Sequence, residues 1–155
     1  MAKRVNEGKR FEEDFLGSVP EYMYKMRIKD DTLHFKNVKN AADVLLFYKG
    51  KMYLLELKST QEKSLPYGNI GEHQLKGLYE SSKVDGVVAG LIINFRSVTE
   101  TYFLEIDKAL LYMNTHSRKS FPLDFVREEG VLINCRRKRV RYHYYVNDLI
   151  EKYAK

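Results

Sequence analysis

The spacing of apolar positions changes several times along this chain, and each change marks an element. Between Gly8 and Leu16, Phe11, Phe15 and Leu16 fall at helical spacing among charges, and Gly17-Ser18 with Pro20 end the pattern, which predicts a short amphipathic helix. Over residues 22 to 29 the period drops to two, Met26 and Ile28 alternating with Arg27 and Lys29 as in a half-exposed strand closed by Asp30-Asp31. Ala42 to Tyr48 and Lys51 to Lys58 are apolar runs separated only by Lys49-Gly50, the spacing of a tight hairpin. After a polar loop containing Pro66 and Gly68, Leu75, Leu78 and Tyr79 set out a helix over Glu72 to Ser82. Gly86 to Phe95 then reads as a strand covered on both faces, with Thr101 to Ile106 as a neighbour. Further helices are predicted near Lys108 to Asn114 and Asn147 to Tyr153. The order helix, strands, helix, strands describes a mixed α/β domain with a central sheet. No internal repeat or Pro-, Gly- or Ser-rich linker divides it, so residues 1–155 are expected to form one domain.

Composition narrows the function classes. A chain that is 44% hydrophobic, with 12 Tyr and 8 Phe, has the apolar surface to offset the entropy of ordering, which excludes disorder for most of its length. Its apolar runs fall far short of the roughly 20 residues a membrane span requires. The charged N-terminus shows no secretory signal, so a soluble, cytoplasmic protein without a membrane partner is expected. A lone cysteine, Cys135, excludes an internal disulfide and zinc sites built on paired cysteines; His34, His73, His116 and His143 are scattered without zinc-binding spacing. Ser59, Ser64 and Ser120 lie in no nucleophile motif, and no Gly-rich phosphate loop occurs, so no nucleotide cofactor is expected.

The charge, 27 Lys and Arg against 21 Asp and Glu for a net +6, favours a polyanionic partner. The densest cationic run is Arg136, Arg137, Lys138 and Arg139 with Arg141, interleaved with Tyr142, Tyr144 and Tyr145. Such a run suits phosphate contacts without base specificity. The alternative is a solvated strand whose Val140, Tyr142 and Tyr144 pack inward. Lys3, Arg4, Lys9 and Arg10 form a second basic patch around the first helix, and Arg27 with Lys29 a third on one strand face.

Candidate chemistry sits on the hairpin. If Lys49-Gly50 is a two-residue turn, Tyr48 pairs with Lys51 and, counting back, Asp43 stands opposite Glu56. Two carboxylates would then share one sheet face with β-carbons about 5 Å apart. Like charges that close raise one carboxyl pKa or call for a divalent cation of the Mg²⁺ type. Lys58, two residues on, points the same way as Glu56, while Leu57 turns aside. Two acids and an ammonium suit phosphodiester hydrolysis. The plainer alternative is that Asp43 opens a strand and Glu56 with Lys58 forms a surface pair. Against it, the same face carries Met52 and Leu54, with Leu45 and Phe47 opposite, so the charges end an apolar face.

Asp43, thirteen positions before Glu56-Leu57-Lys58, resembles the PD-(D/E)xK nuclease signature, with Ala42 in place of the usual Pro. Gly8-Lys9-Arg10-Phe11-Glu12, Ser64-Leu65-Pro66-Tyr67, Ile70, Glu72-His73-Gln74, Ile92-Ile93-Asn94-Phe95-Arg96 and Lys119-Ser120-Phe121-Pro122 are together similar to RecU-type Holliday junction resolvases over most of the chain. The resemblance implies a restriction-endonuclease-like α/β fold, a mixed central sheet flanked by helices. It also implies a homodimeric hydrolase of DNA recombination and repair that incises branched four-way DNA by paired nicks. Asp43 and Glu56 would bind Mg²⁺, with Mn²⁺ as a substitute, the Leu57 carbonyl would complete the shell, and Lys58 would act on the water. Glu12 matches the first-helix acidic position, with an exposed helix face as its alternative, and Gln74 matches the supporting helix glutamine. Only about two dozen residues separate the first helix from Asp43. That implies a compact version lacking the family's projecting stalk, nearer archaeal or phage resolvases. Rival readings keep the fold but act on linear or flapped duplex, or bind DNA without cutting it.

Overall fold

A computed structural model describes residues 4–28 and 42–154. Lys3, Lys29, Asp30-Asp31 and the segment read as replacing a stalk lie outside the described residues.

Helix α1 spans Glu7–Gly17; Asn6 caps it, its side-chain oxygen accepting from Lys9 N at 3.0 Å. Strand β1 is Tyr24–Arg27, β2 Val44–Tyr48 and β3 Lys51–Thr60. The turn joining β2 and β3 is the two residues expected: Lys49 and Gly50 both take positive φ, 48° and 77°, the twist that closes a tight hairpin without splaying its strands. Short β4, Ser64–Pro66, leads through one 3₁₀ turn to α2, Glu72–Ser82. Strand β5, Val87–Phe95, turns into β6, Glu100–Glu105, which runs directly into α3, Ile106–Thr115. Then follow β7, Ser120–Pro122; α4, Leu123–Glu129; β8, Val131–Leu132; the strand pair β9, Cys135–Lys138, and β10, Arg141–Tyr144; and α5, Asn147–Tyr153.

Six strands form the main sheet in the order β1-β2-β3-β5-β6-β8. Only β3 and β5 run parallel, from Met52 beside Val87 to Thr60 beside Phe95, and α2 makes the crossover between them. Alternation along β3 sorts its side chains into two cores. Tyr53, Leu55 and Leu57 pack beneath α1, α5 and the β9–β10 pair with Phe11, Phe15, Ile92, Phe103, Tyr144 and Leu149. Leu54 faces the layer of α2, α3 and α4, where Leu78, Leu91, Ile93, Phe121 and Val126 are buried.

Three expectations need adjustment. The face carrying Leu45, Phe47, Met52 and Leu54 opens to water at the turn, Phe47 being 48% exposed, because no helix covers that corner among the described residues. Val140 does not pack inward with Tyr142 and Tyr144. It sits at the hairpin tip and is 61% exposed, since its neighbour Arg139, at φ 53°, turns the chain there. Finally, the sequence pattern predicts no element at α4, β4, β7 or β8. Among the described residues no helix is long and apolar enough to cross a membrane.

Candidate active site

The hairpin register brings the chemistry together. Val44 pairs with Leu55, so Asp43, one residue earlier, continues opposite Glu56, and its N–H donates to the Leu55 carbonyl at 3.0 Å. The Asp43 carboxylate turns onto the next residue of β3, its Oδ2 accepting from Leu57 N at 2.9 Å. That bond fixes the acid at the sheet end through main chain alone.

Glu56 is 1% exposed, an unusual place for a carboxylate. Its Oε1 accepts from Gln74 Nε2 at 2.7 Å and from the Lys58 ammonium at 3.2 Å. Gln74 belongs to the first turn of α2, and its own Oε1 accepts from Gly71 N at 3.0 Å, capping the helix. Because that oxygen is committed to the cap, the amide nitrogen is left to face Glu56. Glu56 Oε2, also buried, has no hydrogen-bond partner. Burial first, then the neighbouring Asp43 carboxylate, push the Glu56 pKa up to about 8, against the pull of Lys58.

Glu12 reaches the same place from α1. Burial and Asp43 raise its pKa, while Arg27 and Lys58 oppose the shift, so Glu12 shares the electrostatic neighbourhood of Asp43, Lys58 and Arg27. Glu12 Oε2 pairs with Arg27 at 3.2 Å, which draws β1 into the group. The exposed-face alternative holds for Glu13 and not for Glu12, which is half-buried. Hence Glu12, Asp43, Glu56, Lys58 and Gln74 lie in one neighbourhood, and Arg27 joins them.

The donor set fits a divalent cation. A buried carboxylate oxygen without a partner, beside a second carboxylate, is an arrangement that a cation relieves. No cluster of three or more His, Cys, Asp or Glu capable of holding a metal occurs among the described residues. A cation would therefore rest on Asp43, Glu56 and main-chain oxygen such as that of Leu57, and keep several waters, as Mg²⁺ usually does.

The basic residues divide. Arg4 and Lys9 are exposed near the start of α1, and Arg136, Arg137, Lys138 and Arg139 project from the β9–β10 hairpin. Arg141 is instead held by Glu13 and Asp14, both at 2.9 Å, and one Arg10 nitrogen donates to the Val140 carbonyl at 2.7 Å. Sequence reasoning also missed a polar chain behind β3, in which Arg96 donates to Ser59, Ser59 to Asn94 and Asn94 to Thr101. Its signal was a polar residue, Asn94, inside an otherwise apolar buried strand.

The architecture has a solved counterpart. Hjc of Archaeoglobus fulgidus, a Holliday junction resolvase, matches 79% of this chain and 93% of its own with a TM-score of 0.58 at 16% identity. The fold is thus restriction-endonuclease-like, a mixed sheet between helical layers. In sequence, the profile of RecU, Recombination protein U, matches residues 21–148, and the chain belongs to the RecU family. The SPbeta prophage-derived uncharacterized protein YotM of Bacillus subtilis (strain 168) is 32% identical over 93% of this chain and 85% of its own length. The Holliday junction resolvase RecU of Streptococcus thermophilus (strain ATCC BAA-491 / LMD-9) is 30% identical over 73% of this chain. The chain spans 57% of that resolvase's length, and 62% of the RecU of Lactococcus lactis subsp. cremoris (strain MG1363), to which it is 29% identical.

Proposed function

We propose that this chain is a metal-dependent endodeoxyribonuclease that resolves four-way DNA junctions by paired nicks, residues 1–155 acting as one nuclease domain within a homodimer. The observation that carries the reading is the buried, unpartnered Glu56 Oε2 placed beside Asp43 and Lys58 by the hairpin register. Family membership and the resolvase names of the streptococcal and lactococcal relatives support the choice of branched DNA.

Each residue has a part that its contacts explain. Asp43, Glu56 and the Leu57 carbonyl would hold Mg²⁺, or Mn²⁺ in its place, and the bound ion would act as a Lewis acid on the phosphate and its attacking water. Gln74 keeps Glu56 aimed at the site through the bond that also caps α2. Lys58, half-exposed beside Glu56, can donate to a water or to a phosphate oxygen as negative charge builds on it. Arg27 holds Glu12 at the rim and presents cationic surface to the backbone. The exposed arginines and lysine of β9–β10 supply affinity that ignores sequence, as a structure-selective enzyme requires. A dimer would place two such sites on related strands.

The test compares a four-way junction, a flap and a linear duplex of matched sequence in Mg²⁺. Junction-selective nicking is expected. Asp43→Asn or Lys58→Ala should lower its rate at least about 10²-fold while junction binding persists, and Ca²⁺ in place of Mg²⁺ should allow binding without turnover. Equal cutting of all three substrates would remove the junction assignment, and tight binding with no nicks under any divalent ion would leave a DNA-binding module. Light scattering should give a mass twice the 18.3 kDa of the chain.

A further inference from the structure

We propose that Arg96 is a phosphate clamp. It would grip the backbone of bound DNA, away from the bond being cut, in the cleft between the start of α1, the turn after β5 and the tip of the β9–β10 hairpin. The proposal rests on the nuclease reading above and adds a binding site to it.

Arg96 follows β5 directly, and its N–H donates to the carbonyl of Thr60, the last residue of β3, at 2.8 Å. It is therefore locked to the end of the strand that carries Glu56 and Lys58. Its side chain is half-buried. One guanidinium nitrogen donates to Ser59 Oγ at 2.8 Å, Ser59 donates to Asn94 Oδ1 at 2.9 Å, and Asn94 Nδ2 donates to Thr101 Oγ1 at 3.0 Å. Every partner in this chain is neutral. Arg27, Arg127 and Arg141 each hold a carboxylate, but among the described residues no carboxylate lies within ion-pair distance of Arg96. A cation taken partly out of water, oriented by a buried polar chain and given no counter-charge, is set up to receive an anion from outside.

The space around it agrees. Arg96 lines two hollows. One, of about 160 Å³, has Arg10, Phe11 and Tyr142 in its walls; the other, open and about 450 Å³, begins at Arg4. Asp14, in the first hollow, is neutralised by Arg141. Glu7 borders both but is exposed in the first turn of α1, where the helix amides favour an acid. Arg96 thus shares one hollow with the guanidinium of Arg10 and the other with that of Arg4. A planar guanidinium with free N–H groups matches the bidentate geometry of a phosphodiester. Ser59 adjoins Lys58 in β3 but faces the opposite side of the sheet, so a phosphate held here is a different one from that at Glu56.

The test measures Ca²⁺-supported binding of a four-way junction by fluorescence anisotropy across a NaCl series, with cleavage in Mg²⁺ and thermal melting alongside. Arg96→Ala should weaken binding about tenfold near 0.15 M salt and reduce the slope of log affinity against log salt by about one. Arg96→Lys should keep the slope and lose affinity severalfold, because a point charge replaces a fork. Ser59→Ala, which leaves the charge in place and frees the guanidinium, should do the same. A folded Arg96→Ala protein with the wild-type slope overturns the clamp. If that variant does not fold, wild-type affinity in both Arg96→Lys and Ser59→Ala overturns it instead. Wild-type protein that cuts junctions while Arg96→Ala matches it would remove only the clamp, whereas wild-type protein that does not bind junctions at all would remove the nuclease reading and the clamp together.

Discussion

Glu56 is under opposed demands. Burial and Asp43 disfavour its charge, Lys58 and the Gln74 amide favour it, and burial wins, moving the pKa from 4.5 to about 8. In the unfolded chain the same carboxyl titrates near its ordinary value. Between the two values the folded protein therefore holds a proton that the unfolded chain has released, so stability is fully present below about pH 4.5 and is lost as pH rises through about 8. Glu12, whose pKa is also raised, adds to the loss with the same sign. The cost across the window is on the order of a few kcal/mol for a site this buried. Metal-free protein should accordingly melt at lower temperature at pH 8 than at pH 5. Glu56→Gln should flatten that dependence and melt above wild type at pH 8, and Mg²⁺ should raise the melting temperature of wild type there but not that of the Gln variant. A melting profile without this fall in metal-free wild type would contradict the burial argument. The acid pair was legible in the sequence, since alternation and turn length are local rules. The unpartnered Oε2 was not, because it depends on which oxygen Gln74 and Lys58 bind.

At the scale of elements, what was readable depended on how local the stabilising contacts are. The β2–β3 hairpin, α1, α2 and β5 emerged within a residue or two of their bounds, because each shows its own period and its own stop signal. Strands β4 and β7 are three residues each and exist because Leu65 pairs with Phe121, far away in sequence. Helix α4 follows β7 with no loop between Pro122 and Leu123, so no stop signal sets it apart in the sequence. Helix α3 begins at Ile106 with no loop after β6, so the apolar run assigned to the strand already contains its first residue. The turn on which the site depends is itself imperfect. Lys49 adopts φ 48°, a region that costs a side chain with a Cβ about 1 kcal/mol and that Asn tolerates better. Lys49→Asn should therefore raise unfolding free energy by about 0.5–1 kcal/mol in urea titration without changing cleavage. A loss of stability would mean that the turn is held by the stacking of the Lys49 ammonium over the Tyr48 ring, 5.3 Å away, more than by its backbone.

Across the whole molecule α1 acts as a strut between the acidic cluster at Asp43 and the basic hairpin. One flank sends Glu12 toward Asp43 and Arg27. The other binds the β9–β10 pair through Arg10 to the Val140 carbonyl, Glu13 and Asp14 to Arg141, Asp14 to Tyr142 N at 3.1 Å, and Ser18 to Tyr144 N at 2.9 Å. A basic run looks uniform in sequence, yet here its members have different work. Arg136 and Lys138 face solvent, whereas Arg141 compensates Asp14, whose side chain is only 7% exposed. Removing Arg141 leaves a nearly buried carboxylate with a single main-chain donor, so Arg141→Ala should lower the melting temperature, by less than the loss of Asp14 does because the arginine itself is half in water. Asp14→Ala removes both bonds to the hairpin and should cost about 2–4 kcal/mol. Arg136→Ala and Lys138→Ala should leave the melting temperature unchanged and each flatten the salt dependence of junction binding by up to about one unit of slope. Measured together, melting and salt slope separate the two roles: an Arg141→Ala protein that melts normally but loses a unit of slope would move Arg141 from the strut to the DNA-binding surface.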